Sequence, residues 1–378
     1  MKDEGGNMQK FNIFPTIEQF ESCEEFLGGF GIGKGDLVFI SDSTRNFYFT
    51  DAFSDALVVN YRKYGSGEPT DTMVENIYND IRGYTYNRVF AIGGGTILDV
   101  AKLFALKKTV PVLDLFDRKF EIVKNKELIL VPTTCGTGSE VTNISILELT
   151  AINTKMGLAV DELYADYAVL IPELISNLPF KYFATSSIDA LIHSIESYTS
   201  PKATEFSKFF SEKAMRMILY GYKEIIKKGP ESRNVYLNDF LIASTYAGIA
   251  FGNAGCAAVH AMSYPIGATY HVPHGEANYL MFTEVYKTYQ ALNPNGIIKN
   301  LNHILAEILE CEDNLVYIEI EKLLDNILPR KPLHLYNVTE NDLLIFTNTV
   351  MTKQSRLMAN NYAVLDKETV LSIYTKLY

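Results

Sequence analysis

Over the first half of this chain, short β-branched and aliphatic runs alternate with helix-patterned stretches, and that alternation limits its fold more than any other feature. LVFIS (37–41), ALVVN (56–60), RVFAI (88–92), ELILVPTT (127–134) and YAVLI (167–171) read as strands. Between them, PTDTMVENIYNDIRGY carries a capping-box pattern, Thr72 with Glu75, and TILDVAKLFALKK spaces its apolar residues helically. Parallel strands need a crossover, usually a helix, so the alternation predicts a parallel sheet covered by helices. From Leu178 and Pro179 onward the strand-like runs stop, and 182–199, 203–228 and 237–252 show helical periodicity. The 378 residues are therefore read as an α/β domain over 1–180 and an all-α domain over 181–378.

Composition narrows the functions open to such a chain. Apolar residues make up 47% and charged residues 21%, with 24 Gly and 13 Pro, which excludes a disordered or collagen-like chain. The 34 Lys+Arg against 45 Asp+Glu give −11, and no basic run is long enough to follow a phosphate backbone, so no nucleic-acid partner is expected. Cys23, Cys135, Cys256 and Cys311 are far apart and form no CxxC pair, which predicts neither a disulfide framework nor a thiolate zinc site and fits a reducing cytoplasm. The N-terminus lacks a signal-peptide pattern, and no stretch reaches the roughly 18 uncharged apolar residues of a membrane span, so a soluble, membrane-free protein is expected. Residues 1–7 carry no pattern, are read as an extension ahead of Met8 and receive no role.

Two turns in the first half have the chemistry of a phosphate cradle. Arg88–Ile92 runs straight into Gly93-Gly94-Gly95-Thr96, with Thr96 and Asp99 opening the next helix. Three residues without a Cβ at a strand-to-helix turn let backbone N–H groups approach a pyrophosphate that the helix dipole also favours. The plain alternative is a tight turn. A second such turn, Thr133-Thr134-Cys135-Gly136-Thr137-Gly138-Ser139, follows ELILVPTT and adds hydroxyl donors at the carboxyl edge of the sheet. Asp42, just after LVFIS, can accept from ribose hydroxyls and would repel a 2′-phosphate, which favours NAD over NADP. As a lone residue it would read as a solvated turn aspartate.

The second half concentrates metal-ligating residues. In ATSSIDALIHSIESYTS, Asp189 and His193 lie four apart on one helix face, with Glu196 a further turn along. AAVHAMSYPIGATYHVPHGEAN adds His260, His271 and His274, so four of only six histidines fall in two segments. Pro265, Gly267 and Pro273 are expected to break the second segment into helix, loop and helix, letting His260 and His274 converge on the first helix. One carboxylate with two or three imidazoles and no thiolate suits Fe(II), Zn(II) or a similar ion with a position open for substrate oxygen. A satisfied core histidine cluster is the bland alternative.

GGGTILD, VPTTCGTGSEVTN, SIDALIHSIESY and HAMSYPIG followed by PHGEAN together resemble the iron-dependent (group III) alcohol dehydrogenases, in that family's order and over nearly the whole chain. FGNAG, YHVPHGEANY and VPTTCGTGSEVTNISI carry a closer likeness to members that interconvert 4-hydroxybutyrate and succinate semialdehyde with NAD. The resemblance implies hydride transfer between NAD(H) and a primary alcohol or aldehyde. It also implies a dinucleotide-binding domain, a helical metal-binding domain, an active site in the cleft between them, and a homodimer. It puts the metal ligands on Asp189, His193, His260 and His274, and the dinucleotide contacts on Asp42, Gly94, Gly95, Thr96, Asp99, Thr133, Thr134, Thr137, Lys155 and Leu174.

This chain departs from the family pattern at Tyr264, where many members place a proton-transfer histidine, so a phenol, a water chain or His271 must serve. The ordinary titration range favours His271. SSIDA replaces TGMDA, and IPEL at 171–174 replaces DPEL. A carboxylate substrate needs a cation or N–H donors, for which Lys155 and Arg356 are the candidates. The rivals are a general medium-chain alcohol or 1,3-propanediol-type dehydrogenase, a dehydroquinate-synthase-like lyase, whose dense basic phosphate site is not seen, and a non-catalytic binding module.

Overall fold

The computed structural model describes residues 10–65, 67–152 and 154–378; the extension read at 1–7 lies outside them. The chain divides into two compact units, Phe14–Pro179 and Phe180–Tyr378, with residues 10–13 belonging to the second.

In the first unit, β1 (Thr16–Gln19), β2 (Asp36–Ile40), β3 (Leu57–Val59), β4 (Arg88–Gly93), β5 (Glu127–Pro132) and β8 (Tyr167–Leu170) form a six-stranded parallel sheet in the order β1-β8-β5-β4-β2-β3. The near-continuous apolar runs have a direct cause, because alternate residues feed different cores. Leu37, Phe39, Val89, Ala91, Leu128 and Leu130 join one cluster, while Val38, Ile40, Phe90, Ile92, Ile129 and Val131 join another. Both faces are covered, so neither can be polar. The chain leaves β2 outward to β3, then returns past β2 to β4 and β5. The carboxyl ends of β2 and β4 thus flank a topological switch point, the usual ligand crevice of an open α/β sheet.

Three strands escaped the sequence reading. β1 is a four-residue edge strand, mostly exposed and bonded only to β8. β6 (Ile144–Leu149) and β7 (Thr154–Ala159) form a separate antiparallel hairpin whose half-buried pattern never builds an apolar run. Two helix starts also need correction. The Asp71–Ile81 helix is capped by Thr70, whose hydroxyl accepts from Met73 N at 3.1 Å, and not by a Thr72–Glu75 box. Glu75 instead accepts from Val112 N. The Gly95–Phe104 helix has Gly94 as its N-cap with no side-chain cap, so Thr96 and Asp99 do not close its end.

The second unit is helical. Phe180–Thr199 is buried almost continuously from Phe183 and packs with Glu205–Lys228 and Leu237–Ala254. Ala258–Tyr270 and His274–Leu292 follow. Contrary to the expected break, the Ala258–Tyr270 helix runs through Pro265 and Gly267. Proline removes the helical donor of the carbonyl four residues back, Ala261, and the adjacent Met262 carbonyl accepts from the Tyr374 hydroxyl at 2.6 Å. The chain turns only at His271, in the left-handed conformation, before Pro273 opens the next helix. Among the described residues no single helix is long and apolar enough to cross a membrane; Leu237–Ala254 and Ala258–Tyr270 reach that composition only as a pair bent by 105°.

Candidate metal centre

Three helices of the second unit supply one cluster. Asp189 and His193 project from one face of Phe180–Thr199, His260 from the first turn of Ala258–Tyr270, and His274 begins His274–Leu292. One donor atom from each of the four lies within 4.8 Å of every other. Bonds of about 2.0–2.2 Å to one ion would bring such atoms within roughly 4.4 Å, a small inward adjustment. His193 Nε2 and His260 Nε2 face each other at 2.9 Å, and Asp189 Oδ1 lies 3.8 Å from His260 Nε2 and 3.9 Å from His274 Nε2. Asp189, His193 and His260 are buried, and His274 is about one-third exposed. The donor set fits a divalent cation: one carboxylate oxygen and three imidazoles, with lone pairs converging in a buried space.

The surroundings orient these donors. Glu196, fully buried, accepts from the backbone N–H of Ala257 (3.0 Å) and Val259 (2.7 Å), and its Oε2 takes the Nδ1 hydrogen of His260 at 2.6 Å. That bond turns the other ring nitrogen, Nε2, toward the cluster, where it offers a lone pair to an ion once its proton is lost. Burial alone would lower the His260 pKa, but negative charge beside the ring, with the Glu196 carboxylate bonded to Nδ1, outweighs it and holds it above the ordinary histidine value. Burial would likewise raise Asp189, yet His193, His274, His260 and the Asn278 amide hold it below the usual carboxylate value. Asn278 Nδ2 donates to Asp189 Oδ1 at 2.7 Å, and the buried Oδ1 of Asn278 has no hydrogen-bond partner. The His193 ring stacks on Phe251 with centroids 4.3 Å apart.

Gly275 allows the convergence. A Cβ there would stand 2.1 Å from the Thr185 carbonyl oxygen and 3.2 Å from Asp189 Cβ, so only glycine lets the His274 helix start against the Asp189 helix.

Tyr264 and His271 occupy different settings. The Tyr264 ring lies 6.0 Å from that of His274. His271 is exposed at its left-handed cap and is absent from the ligand cluster. Arg356 is exposed.

The dinucleotide candidates lie in the sheet unit. A Cβ on Gly95 would meet Thr137 Cγ2 at 2.9 Å, and one on Gly94 would meet Thr134 Cγ2 at 3.5 Å, so the glycine turn and the threonine turn are close neighbours. Thr133 N donates to Gly93 O at 3.0 Å. Asp42, exposed after β2, accepts from the Asn60 amide, and the Thr96 hydroxyl donates to Gly67 O. Asp99 turns inward, where its carboxylate accepts from Ser139 Oγ at 2.5 Å and Ile146 N at 3.0 Å. Fully buried Lys102 donates to Ser139 Oγ and Ile144 O, both at 2.7 Å, and burial lowers its pKa despite Asp99 and Glu140. Lys155 pairs with Glu68, and Leu174 is a core residue.

Sequence reading assigned no role to Glu196, Asn278, Cys256 or Gly275. Their signal was position: three after His193, four after His274, four before His260 and one after His274.

Comparison with known proteins agrees with both halves of this description. The "Iron-containing alcohol dehydrogenase" family matches residues 17–172, and the "Fe-containing alcohol dehydrogenase family, C-terminal" matches 183–378. The chain is 51% identical to 4-hydroxybutyrate dehydrogenase of Clostridium kluyveri over 372 residues, covering 98% of this chain and all of that one. The fold is that of sulfoacetaldehyde reductase from Bifidobacterium kashiwanohense, solved with NAD+ (TM-score 0.85, 23% identity, 98% and 99% of the two chains). An iron-containing alcohol dehydrogenase of Thermotoga maritima is similar too (TM-score 0.81, 21% identity, 98% and 99%). Family matches on both units and a full-length relative lead to one conclusion: the chain belongs to the iron-containing alcohol dehydrogenase family.

Proposed function

We propose that this protein is an NAD(H)-dependent oxidoreductase that interconverts 4-hydroxybutyrate and succinate semialdehyde, using a divalent metal, Fe(II) in preference to Zn(II), held by Asp189, His193, His260 and His274. The observation that carries it is the buried four-donor cluster, and the 51% identity to a 4-hydroxybutyrate dehydrogenase supports the substrate. When bound, the ion supplies Lewis acidity toward the substrate oxygen and NAD carries the hydride. The chain's own work is positioning. Glu196 fixes the His260 tautomer, Asn278 holds Asp189, Phe251 backs His193, and Gly275 lets His274 approach. Tyr264 or His271 passes the alcohol proton to solvent; this role is wrong if Tyr264→Phe and His271→Ala both leave the rate and its pH profile unchanged.

In the sheet unit, Gly93, Gly94, Gly95 and the uncapped helix behind them suit the pyrophosphate, and Thr96, Thr133, Thr134 and Thr137 add hydroxyls. Asp42 suits the ribose. Asp99 acts by tying the glycine helix to Ser139 and the β6 strand, so its effect on NAD is through the two turns. Lys155 and Leu174 act at the rim and in the supporting core. We further read the enzyme as a cytoplasmic homodimer, supported by four cysteines in no disulfide and by the family resemblance; light scattering at twice the chain mass tests the dimer.

The deciding assay is NADH oxidation by the anaerobic, Fe(II)-loaded protein with succinate semialdehyde, butyraldehyde and 3-hydroxypropionaldehyde. The expected result is a kcat/KM at least about tenfold higher for succinate semialdehyde, equivalent to one modest charged contact. Preference for an uncharged aldehyde would move the substrate to the medium-chain or 1,3-propanediol class. No turnover with any metal or cofactor would end the oxidoreductase reading.

A further inference from the structure

Beside the four-donor cluster lies a second group of metal-ligating side chains with a different chemistry. Glu196, Cys256 and His260 each offer a ligand atom within 4.8 Å of the others. Cys256 sits in the short link between the helices Leu237–Ala254 and Ala258–Tyr270, and that link is fixed on both sides. Glu196 holds the N–H groups of Ala257 and Val259, while the Asn360 amide donates to the carbonyls of Ala254 (2.9 Å) and Cys256 (3.2 Å). Ser200 adds a bond to the Ala254 carbonyl at 2.7 Å. The sulfur is therefore presented on a rigid backbone, the condition under which a ligand set binds without reorganising the chain.

Glu196 retains coordinating capacity beside its hydrogen bonds. A carboxylate has about four lone-pair directions; at Glu196 three are engaged, two on Oε2 and one on Oε1, so Oε1 keeps one for an ion. The four-donor cluster has only nitrogen and oxygen, whereas this group adds sulfur, which favours thiophilic ions.

We propose that Cys256, Glu196 and His260 form a second ligand set, one that captures thiophilic divalent cations such as Zn(II) or Cd(II) through a Cys256 thiolate. On binding, the thiol S–H bond breaks, its proton passes to water and a sulfur–metal bond forms, with no change of oxidation state. His260 belongs to both sets. An imidazole that keeps one N–H has a single lone pair, so an ion in the second set withdraws His260 from the first. The sharing makes the centre open to displacement of an oxygen- and nitrogen-held ion by a thiophilic one.

The test uses the full-length chain stripped of metal and titrated with Co(II) and, separately, Cd(II), following sulfur-to-metal charge-transfer absorption. The wild type should develop the band as one equivalent binds. Cys256→Ser should lose it and bind Cd(II) at least about tenfold more weakly, the lower bound for loss of a site-tuning contact. Cys256→Ala, which mimics the neighbouring alanines, serves if the serine variant misfolds. Asp189→Ala should keep the band, because Asp189 belongs only to the first set. A wild type without the band, a band surviving both Cys256 substitutions, or a band lost in a folded Asp189→Ala would each overturn the proposal. Fe(II) stoichiometry in the wild type and in Asp189→Ala reads the four-donor centre independently, so the two readings can fail separately.

Discussion

The helical unit and the sheet unit build their candidate sites from opposite materials. The metal centre is made of side chains: two buried carboxylates, three imidazoles and an amide, held by one another and by backbone N–H groups. The edge of the sheet after β4 and β5 is made largely of missing side chains, with three glycines, an uncapped helix start, and Thr134 and Thr137 packed beside the glycines. A side-chain site fails when one donor is removed, because the remaining groups are a buried, uncompensated set. A backbone site fails when an atom is added, because the ligand's space is filled. The two units should therefore respond to different substitutions, in different observables.

Removing a donor gives the largest expected effect. Asp189→Ala should reduce bound iron after anaerobic loading to the background and take turnover with it, while NADH binding, read by cofactor fluorescence, stays within about twofold, below 0.5 kcal/mol. If NADH binding falls together with the metal, the two sites are not separable and the comparison breaks.

Adding one methyl group to each unit is the next test. Gly275→Ala forces a carbon to 2.1 Å from the Thr185 carbonyl, a backbone clash that no rotamer relieves. It should cost about 1–3 kcal/mol of stability and most of the metal affinity. Gly95→Ala meets a side-chain methyl at 2.9 Å, which Thr137 can partly yield. That variant should raise the KM for NADH about tenfold or more with metal content unchanged, since it crowds the backbone where the pyrophosphate is proposed. Interchanged effects would mean that the assignments of the two units are reversed.

Glu196→Gln sharpens the account of the metal centre. The amide oxygen can keep one backbone contact, but the charge that holds His260 Nδ1–H is lost. Loss of such an outer partner usually costs 10- to 100-fold in metal affinity, and competition with a chelator of known strength would read it. An unchanged affinity would show that His260 is held by its helix alone.

How far the sequence disclosed these features follows the same division. The parallel strands were legible because both faces are buried, which turns each strand into an apolar run. The metal cluster was legible because chemistry-bearing residues are rare and specific: four of six histidines in two segments. β1 and the β6–β7 hairpin were not, being edge or half-exposed pieces whose pairing is decided by distant partners. The Thr72–Glu75 box failed for a local reason, since Thr70 caps two residues earlier and Glu75 is drawn to Val112. Pro265 does not end its helix because that helix is buried on both sides of it and packed against its neighbours, so tertiary packing outweighs one lost donor. Cys256 lies in no motif, and Glu196 lies in one without an assigned role; their meaning comes from the 60-residue interval that folding closes.

The smallest effect concerns the scaffold of the sheet unit. Asp71 is buried and its carboxylate accepts from Thr150 N at 3.0 Å, Thr150 Oγ1 at 2.8 Å and Thr72 N at 2.7 Å, which fastens the Asp71–Ile81 helix to the residue after β6. Burial pushes its pKa up, but these donors outweigh it and hold it below the ordinary aspartate value. A folded-state pKa below the unfolded value of about 3.9 means that the ionised form stabilises the fold above that pH, and that the contribution disappears as pH falls through the folded value. Asp71→Asn should cost about 1–2 kcal/mol near neutral pH, between the values for neutral and charged hydrogen bonds because the amide oxygen keeps one acceptor. The gap between wild type and variant, read by urea unfolding, should narrow only below pH of about 4. Metal content should not change, because no donor is touched. A gap that stays constant through the acid range would mean that Asp71 acts by its shape, and a loss of metal in this variant would couple the sheet scaffold to the helical centre in a way that the contrast between the two units does not allow.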